Sequence, residues 1–115
     1  MSRRSRSGRP AKRRAPAPVF AALGDGTRLA LVAKLSSGQS RSISQLTYGS
    51  RLTRQAITKH LRVLEKVEIV RNVHAGRESL FELNPGPIDE IKKYLDRVSV
   101  LWDRKLARLK SFVEG

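Results

Sequence analysis

Cysteine is absent from the 115 residues. That removes a disulfide framework, a thiolate nucleophile and any cysteine-based metal site, and it fits work in a reducing cytoplasm. Apolar runs are short, none approaching the ~18 residues that cross a bilayer, so no membrane partner is expected. A glycine-rich phosphate loop is missing, and no Ser, His and acid stand at a spacing that suggests coupling. No enzymatic activity and no cofactor are therefore expected. Ser and Thr lie at caps and turns, where bonding to the backbone accounts for them. His60 and His74, without cysteine or a close carboxylate pair, do not make a metal site by spacing. Negative charge is scarcest of all: ten Asp and Glu face 24 Lys and Arg, for a formal net charge of +14.

Seven of those cations, Arg3, Arg4, Arg6, Arg9, Lys12, Arg13 and Arg14, crowd into the first 14 residues with no acid among them. The remainder still carries +7, so the folded surface itself suits a polyanion, nucleic acid ahead of an anionic membrane. Residues 1–18, built from Ser, Arg, Gly, Pro, Ala and Lys after the initial Met, cannot bury enough apolar surface to offset ordering. They are predicted to form a disordered basic tail, with one domain over 19–115. A secretory signal is the alternative for "APAPVFAALG", but two prolines interrupt the short apolar run and Asp25 and Arg28 follow at once.

Order is expected from Val19. "VFAAL" predicts a short helix and "GDGTRLALVAKLSSG" a longer one, capped by Asp25, with a stripe of Leu29, Val32 and Leu35, Leu31 beside them. "SISQLTYGS" predicts a short third helix with Ile43 and Leu46 inward. "LTRQAITKHLRVLEK" winds into a fourth. It sets Ala56, Ile57, His60, Leu61, Val63, Leu64 and Val67 on one side and Arg54, Gln55, Thr58, Lys59, Arg62, Glu65 and Lys66 on the other. The period then becomes alternating: "IVRNV" and "SLFEL" predict a two-stranded ribbon tipped at Ala75 and Gly76. "NPGP" ends it, and Pro87 is expected to start a last helix. There Ile88, Ile91, Leu95, Val98, Trp102, Leu109 and Phe112 recur at alternating three and four spacing, broken only by Lys105, with Leu101, Leu106 and Val113 flanking. Some 26 residues extend about 39 Å, more than the domain's own core needs. A second copy about a two-fold axis is the economical partner, and a helix lying on its own domain is the alternative.

The fold class is thus mainly α with a small β-ribbon, in the order of a winged helix-turn-helix with a long C-terminal dimerisation helix. In that arrangement the fourth helix enters the DNA major groove. Arg and Lys can pair with guanine acceptors, Gln with adenine, and Thr can bond or touch a thymine methyl. Base-edge contact is assigned to Arg54, Gln55, Thr58 and Lys59, in the first turns, and phosphate contact to Arg62, further along with Lys66. At the ribbon tip, Arg77 beside His74 suits phosphate in the adjoining groove, with a solvated turn as the alternative. His60, inside the apolar arc, reads as a packed histidine with a polar partner. A merely solvated helix face is disfavoured because acids are nearly missing from it. In the tail, Gly8-Arg9-Pro10 with Arg6, Lys12, Arg13 and Arg14 resembles a minor-groove AT-hook, although Ser7 stands where that motif has Arg. An unspecific electrostatic tail is the alternative.

At "ALGDGTRLALV", "LTRQAITKHLRVLEKVEIV" and "GRESLFEL" together, the chain resembles the ArsR-type (ArsR/SmtB) bacterial winged helix-turn-helix repressors over roughly 19–113. The resemblance implies a cytoplasmic, nucleoid-associated homodimer that binds an inverted repeat of double-stranded DNA in a promoter and responds to a signal. It implies a recognition helix from Thr53, added to the base-edge set, to Arg62, and a wing from Arg71 to Glu82. The dimer interface it implies takes in Val19, Phe20, Leu23, Ile91, Leu95, Val98, Leu101, Trp102, Leu109 and Phe112. The last helix offers Asp89, Asp96 and Asp103 but no His or Cys, which points to a branch that does not sense metals. Arg51 and Glu68 stand where the family usually has Gly at two corners. A small-molecule effector, of unknown identity, could lodge near Trp102 and Phe20. The alternatives in function are an architectural, weakly specific DNA binder and a winged-helix protein-interaction module.

Overall fold

A computed structural model describes residues 15–114. Helix α1 (Pro16–Leu23) buries Val19 and Ala22. It starts three residues before the expected boundary. Pro16 and Pro18 fall in the first turn, where amides have no intrahelical partner to lose, so two prolines that look like breakers are tolerated. Residues 1–14, the bulk of the expected tail, lie outside the described residues. Helix α2 (Gly26–Leu35) is capped by Asp25, whose Oδ1 accepts the Arg28 amide at 3.0 Å. Its stripe is rotated from expectation: Leu31 and Leu35 are buried and Val32 packs beside them, while Leu29 is 52% exposed.

Strand β1 (Arg41–Ser42) leads straight into α3 (Ile43–Thr47). The junction is a reciprocal cap: the Gln45 amide donates to Ser42 Oγ at 3.1 Å and the Ser42 amide to Gln45 Oε1 at 2.8 Å, which satisfies two free donors at once. The corner before the next helix is turned by Gly49, at φ 79°, rather than by Arg51. Helix α4 (Arg54–Lys66) starts at Thr53, whose Oγ1 accepts the Ala56 amide at 3.1 Å. It buries Ile57, Leu61 and Leu64. Val63, expected inward, is 40% exposed at the edge of the arc.

The second corner is different. The Ile69 amide donates to the Leu64 carbonyl and the Glu68 amide to the Glu65 carbonyl, both at 2.9 Å, the bond pair that ends a helix through a left-handed residue. That residue is Glu68, at φ 66° the only described non-glycine with positive φ. Burial of Ile69 and Leu64 on either side and the Asn84 side-chain amide on the Glu68 carbonyl at 2.9 Å hold it there.

Strands β2 (Val70–Ala75) and β3 (Glu78–Leu83) form the antiparallel ribbon, turned by Gly76 at φ 65°. The sheet has three strands in the order β1-β3-β2, with Arg41 opposite Phe81. A two-residue strand carries no alternation to read, which is why only two were expected. Helix α5 (Pro85–Glu114) spans 30 residues, about 45 Å. It begins at Pro85, not Pro87, for the same first-turn reason as α1, and Pro87 is buried within it. No described helix is long and apolar enough to cross a membrane.

The core is apolar: α1, α2, α3, α4, the base of the wing and Ile91 of α5 meet there, and no polar side chain is buried among the described residues. Helix α5 leaves this body early. From Ser99 to Glu114 every residue is exposed, and the radius of gyration, 18.7 Å, exceeds the ~13 Å of a compact domain of about 100 residues.

Candidate nucleic-acid interface

The outward side of α4 follows from its inward side. Ile57, Leu61 and Leu64 hold one face in the core, so Arg54, Gln55, Lys59, Arg62 and Lys66 are driven to the surface. The first two turns, with Ile43 of α3 as floor, form an open depression of about 540 Å³. It is lined by Thr53, Arg54, Gln55, Ala56, Thr58 and Lys59, so all five expected base-edge residues meet in one concavity without an acid.

Their hydroxyls are partly committed. Thr53 uses its oxygen to cap the helix, which leaves its proton to donate outward. Thr58 donates its proton to the Arg54 carbonyl at 2.7 Å, which leaves its methyl and its lone pairs. Thr58 can therefore accept or touch a methyl group, and it cannot donate without breaking that bond.

On the wing, His74 and Arg77 are exposed near the tip. Arg71 is held instead: its Nε donates to Glu82 at 2.6 Å, and Glu82 also accepts from Ser40 Oγ at 3.1 Å. The Arg71 and Ser40 hydrogen bonds hold the Glu82 carboxyl below the usual carboxylate range. A cross-strand bond from Ser79 Oγ to Asn72 Oδ1, 2.9 Å, stiffens the ribbon.

His60, on the back of α4, is half-buried and does have polar company, with Arg28 at 3.2 Å and Asp25 at 3.9 Å. Among the described residues no three His, Asp or Glu gather where a metal could be held. The tail residues Arg6, Arg9, Lys12, Arg13 and Arg14 lie outside the described residues.

The expected interface residues divide into three groups. Val19 and Ile91, at 3% and 7% exposure in the single chain, pack into its own core. Leu23 and Val98 are half-buried. Phe20, Leu95, Leu101, Trp102, Leu109 and Phe112 are exposed. The Phe20 ring meets Tyr94 edge-to-face at a centroid distance of 6.0 Å, not Trp102, which lies two turns further along α5. Trp102 has Lys105 Nζ at 5.9 Å from its ring. Tyr94 was missed because it flanks the heptad series. Arg28 was missed because nothing in a helical pattern marks a cation that turns inward.

A family profile described as a helix-turn-helix domain matches residues 23–73, which span α2 to β2. The HTH-type transcriptional regulator Rv2034 of Mycobacterium tuberculosis is 30% identical over 102 residues, 89% of this chain and 92% of that protein. An ArsR-like transcriptional regulator from Rhodococcus sp. RHA1 superimposes with a TM-score of 0.73 at 36% identity, over 84% of this chain and 91% of that one. The chain belongs to the ArsR family. This ArsR-family chain is thus a transcriptional regulator with a DNA-binding winged helix-turn-helix. A further neighbour in fold, from Mycobacterium bovis, is described as a homodimeric winged helix-turn-helix DNA-binding domain, with a TM-score of 0.56 at 21% identity over 78% of this chain and 80% of that one. In the ArsR-family chain the depression on α4 occupies the start of the second helix of the helix-turn-helix, where such folds meet base edges.

Proposed function

We propose that this regulator is a repressor that binds an inverted repeat as a homodimer. One observation carries the reading: an acid-free, concave reading surface sits on a body from which a long helix projects with its apolar side bare. Arg54, Gln55, Thr58 and Lys59 read base edges, Thr53 sets the helix start and donates alongside them, and Arg62, His74 and Arg77 meet phosphate. The N-terminal cations add affinity by counterion release.

Helix α5 supplies the pairing geometry. Its seam positions, Ile88, Ile91, Leu95, Val98, Trp102, Lys105, Leu109 and Phe112, are symmetric about residue 100. Two antiparallel copies therefore set Val98 opposite the partner's Trp102 and Leu95 opposite the partner's Lys105. A parallel pair would instead press Lys105 against its own copy. Since Ile91 is already buried, Leu109 and Phe112 reach the partner's body, where Phe20 and Tyr94 remain partly exposed. The homodimeric Mycobacterium bovis neighbour supports this reading.

Selection of duplexes from a random-sequence pool, using the full chain, tests it. The expected product is an inverted repeat whose half-sites lie about 34 Å apart, and a five-base-pair insertion between them abolishes tight binding. Tolerance of that insertion refutes the paired reading, and enrichment of no sequence favours an architectural binder. Because the chain has no cysteine, single replacements report pairing cleanly. Leu95→Cys mixed with Lys105→Cys is expected to cross-link, and Leu109→Cys alone is not.

A further inference from the structure

Among the described residues, Ile57, Leu61 and Leu64 hold α4 in the body through apolar contacts, and His60 adds a polar one. Close packing against the core limits the helix's rotation. The hydrophobic effect itself has no directional preference, so a directional hydrogen bond on this helix adds a restraint on its rotation that burial alone does not specify. A rotation of about 20° at an outer helix radius of about 6 Å moves the end of a side chain by about 2 Å, enough to take a donor out of hydrogen-bonding range. His60 supplies such a bond. Its Nδ1 stands 3.2 Å from a terminal nitrogen of Arg28. A guanidinium offers only donors, so Nδ1 accepts and the ring proton lies on Nε2.

The same guanidinium donates through Nε to the Ala22 carbonyl at 2.5 Å. The Arg28 amide is bound by Asp25, whose Oδ1 also faces His60 Nδ1 at 3.9 Å. One side chain therefore joins the end of α1, the start of α2 and the middle of α4, opposite the reading face. Helix α1 is also the helix whose Phe20 packs on α5, so the bridge links the reading helix to the surface proposed to pair.

We propose that the Arg28–His60 bridge sets the rotation of α4, and that both are positioning residues for base reading which do not themselves touch DNA. This rests on the reading of α4 as the base-contacting helix.

The test compares the wild-type chain with His60→Leu, which cannot accept, His60→Asn, whose Oδ1 stands near the place of Nδ1, Arg28→Gln, and the Arg28→Gln/His60→Leu pair. Each is titrated with the duplex selected above and with a scrambled duplex of equal length. Phosphate contacts dominate binding to the scrambled duplex and tolerate a small rotation. His60→Leu is expected to lower the ratio of selected to scrambled affinity by about tenfold, with scrambled binding within about twofold of wild type. His60→Asn restores the ratio, and the double variant falls no further than the worse single one. An unchanged ratio in His60→Leu, or an equal fall in His60→Asn, overturns the proposal.

Amide hydrogen exchange along α4 in the free protein gives a second readout that needs no DNA. Faster exchange in His60→Leu and Arg28→Gln than in His60→Asn is expected, and equal rates in all three overturn the bridge. Failure to select any duplex would sink the base-reading premise while this comparison still decides the bridge, and Arg28→Gln carries it should His60→Leu not fold.

Discussion

Replacing Trp102 with Ala tests the pairing surface most sharply. Trp102 leaves 57% of its surface in water in the single chain, and in the proposed antiparallel dimer its seam position would set it beside the two-fold centre, opposite residue 98 of the second copy. An aromatic side chain buries about 200 Å² when fully covered, so pairing would remove about 110 Å² more per copy, worth about 2.7 kcal/mol at about 25 cal/mol per Å². Two copies contribute about 5 kcal/mol per dimer. Halving that for incomplete cover at a helix seam leaves about 2.5 kcal/mol, so the dimer Kd should rise between about seventyfold and several thousandfold. Sedimentation across a concentration series measures it directly. Tyr48→Ala is the control: Tyr48 is 86% exposed but sits in the α3–α4 turn, and its loss should leave the dimer unchanged. A shift of less than about tenfold in Trp102→Ala would mean that α5 is covered by something other than a second copy.

The reading face, the α4 corner and the wing each yield a further expectation. Arg54→Ala or Gln55→Ala should cost about 1–3 kcal/mol against the selected duplex and little against a scrambled one, whereas Arg62→Ala should weaken both and lower the salt slope by about one, as titrations at several salt concentrations will show. Glu68→Gly should be more stable than Glu68→Ala by up to about 1 kcal/mol, a few degrees in Tm. Both lack the Glu side chain but only glycine takes φ 66° without strain, while Glu68→Val should be less stable than both. Glu82 has its folded-state pKa depressed, so the stability it contributes is present above its unfolded value and is lost as pH falls through its folded value. Melting curves taken downward from neutral pH should therefore show an acid-side loss that Glu82→Gln diminishes.

How far the fold could be read in advance depended on whether burial left a periodic trace. Helix α4 was legible because its core contacts repeat at helical spacing and its cations fall between them, so both the element and the faces of Arg54 and Lys59 followed from one pattern. The wing was legible from alternation and from Gly76. Helix starts were misplaced at Pro16 and Pro85 for a single reason: proline is read as a breaker, yet in a first turn the amide it lacks has no partner to lose. Burial along α1 and α5 was harder, since Val19 and Ile91 belong to the same apolar stripes as Phe20 and Leu95. A stripe does not say where the body ends and the partner begins. Arg28 had no trace at all, because its turn inward depends on a carbonyl and an imidazole that only the tertiary fold brings to it.

That division within the stripes bears on how the regulator works. A single α4 offers a handful of base contacts at about 1–3 kcal/mol of discrimination each, which suffices for one half-site and not for a promoter among many competing sequences. The body alone cannot supply a second reading helix at the next groove; in the proposed dimer the exposed length of α5 supplies it, by fixing a second body at a set distance. Pairing and reading then become linked equilibria: anything that binds the paired chain in preference to the single one stabilises it by mass action, and DNA spanning both half-sites does so. Trp102→Ala, remote from the depression on α4, should accordingly lower affinity for the selected duplex at dilute protein concentration and recover it as concentration rises. Arg54→Ala should show no such recovery, because it removes a contact that concentration cannot restore.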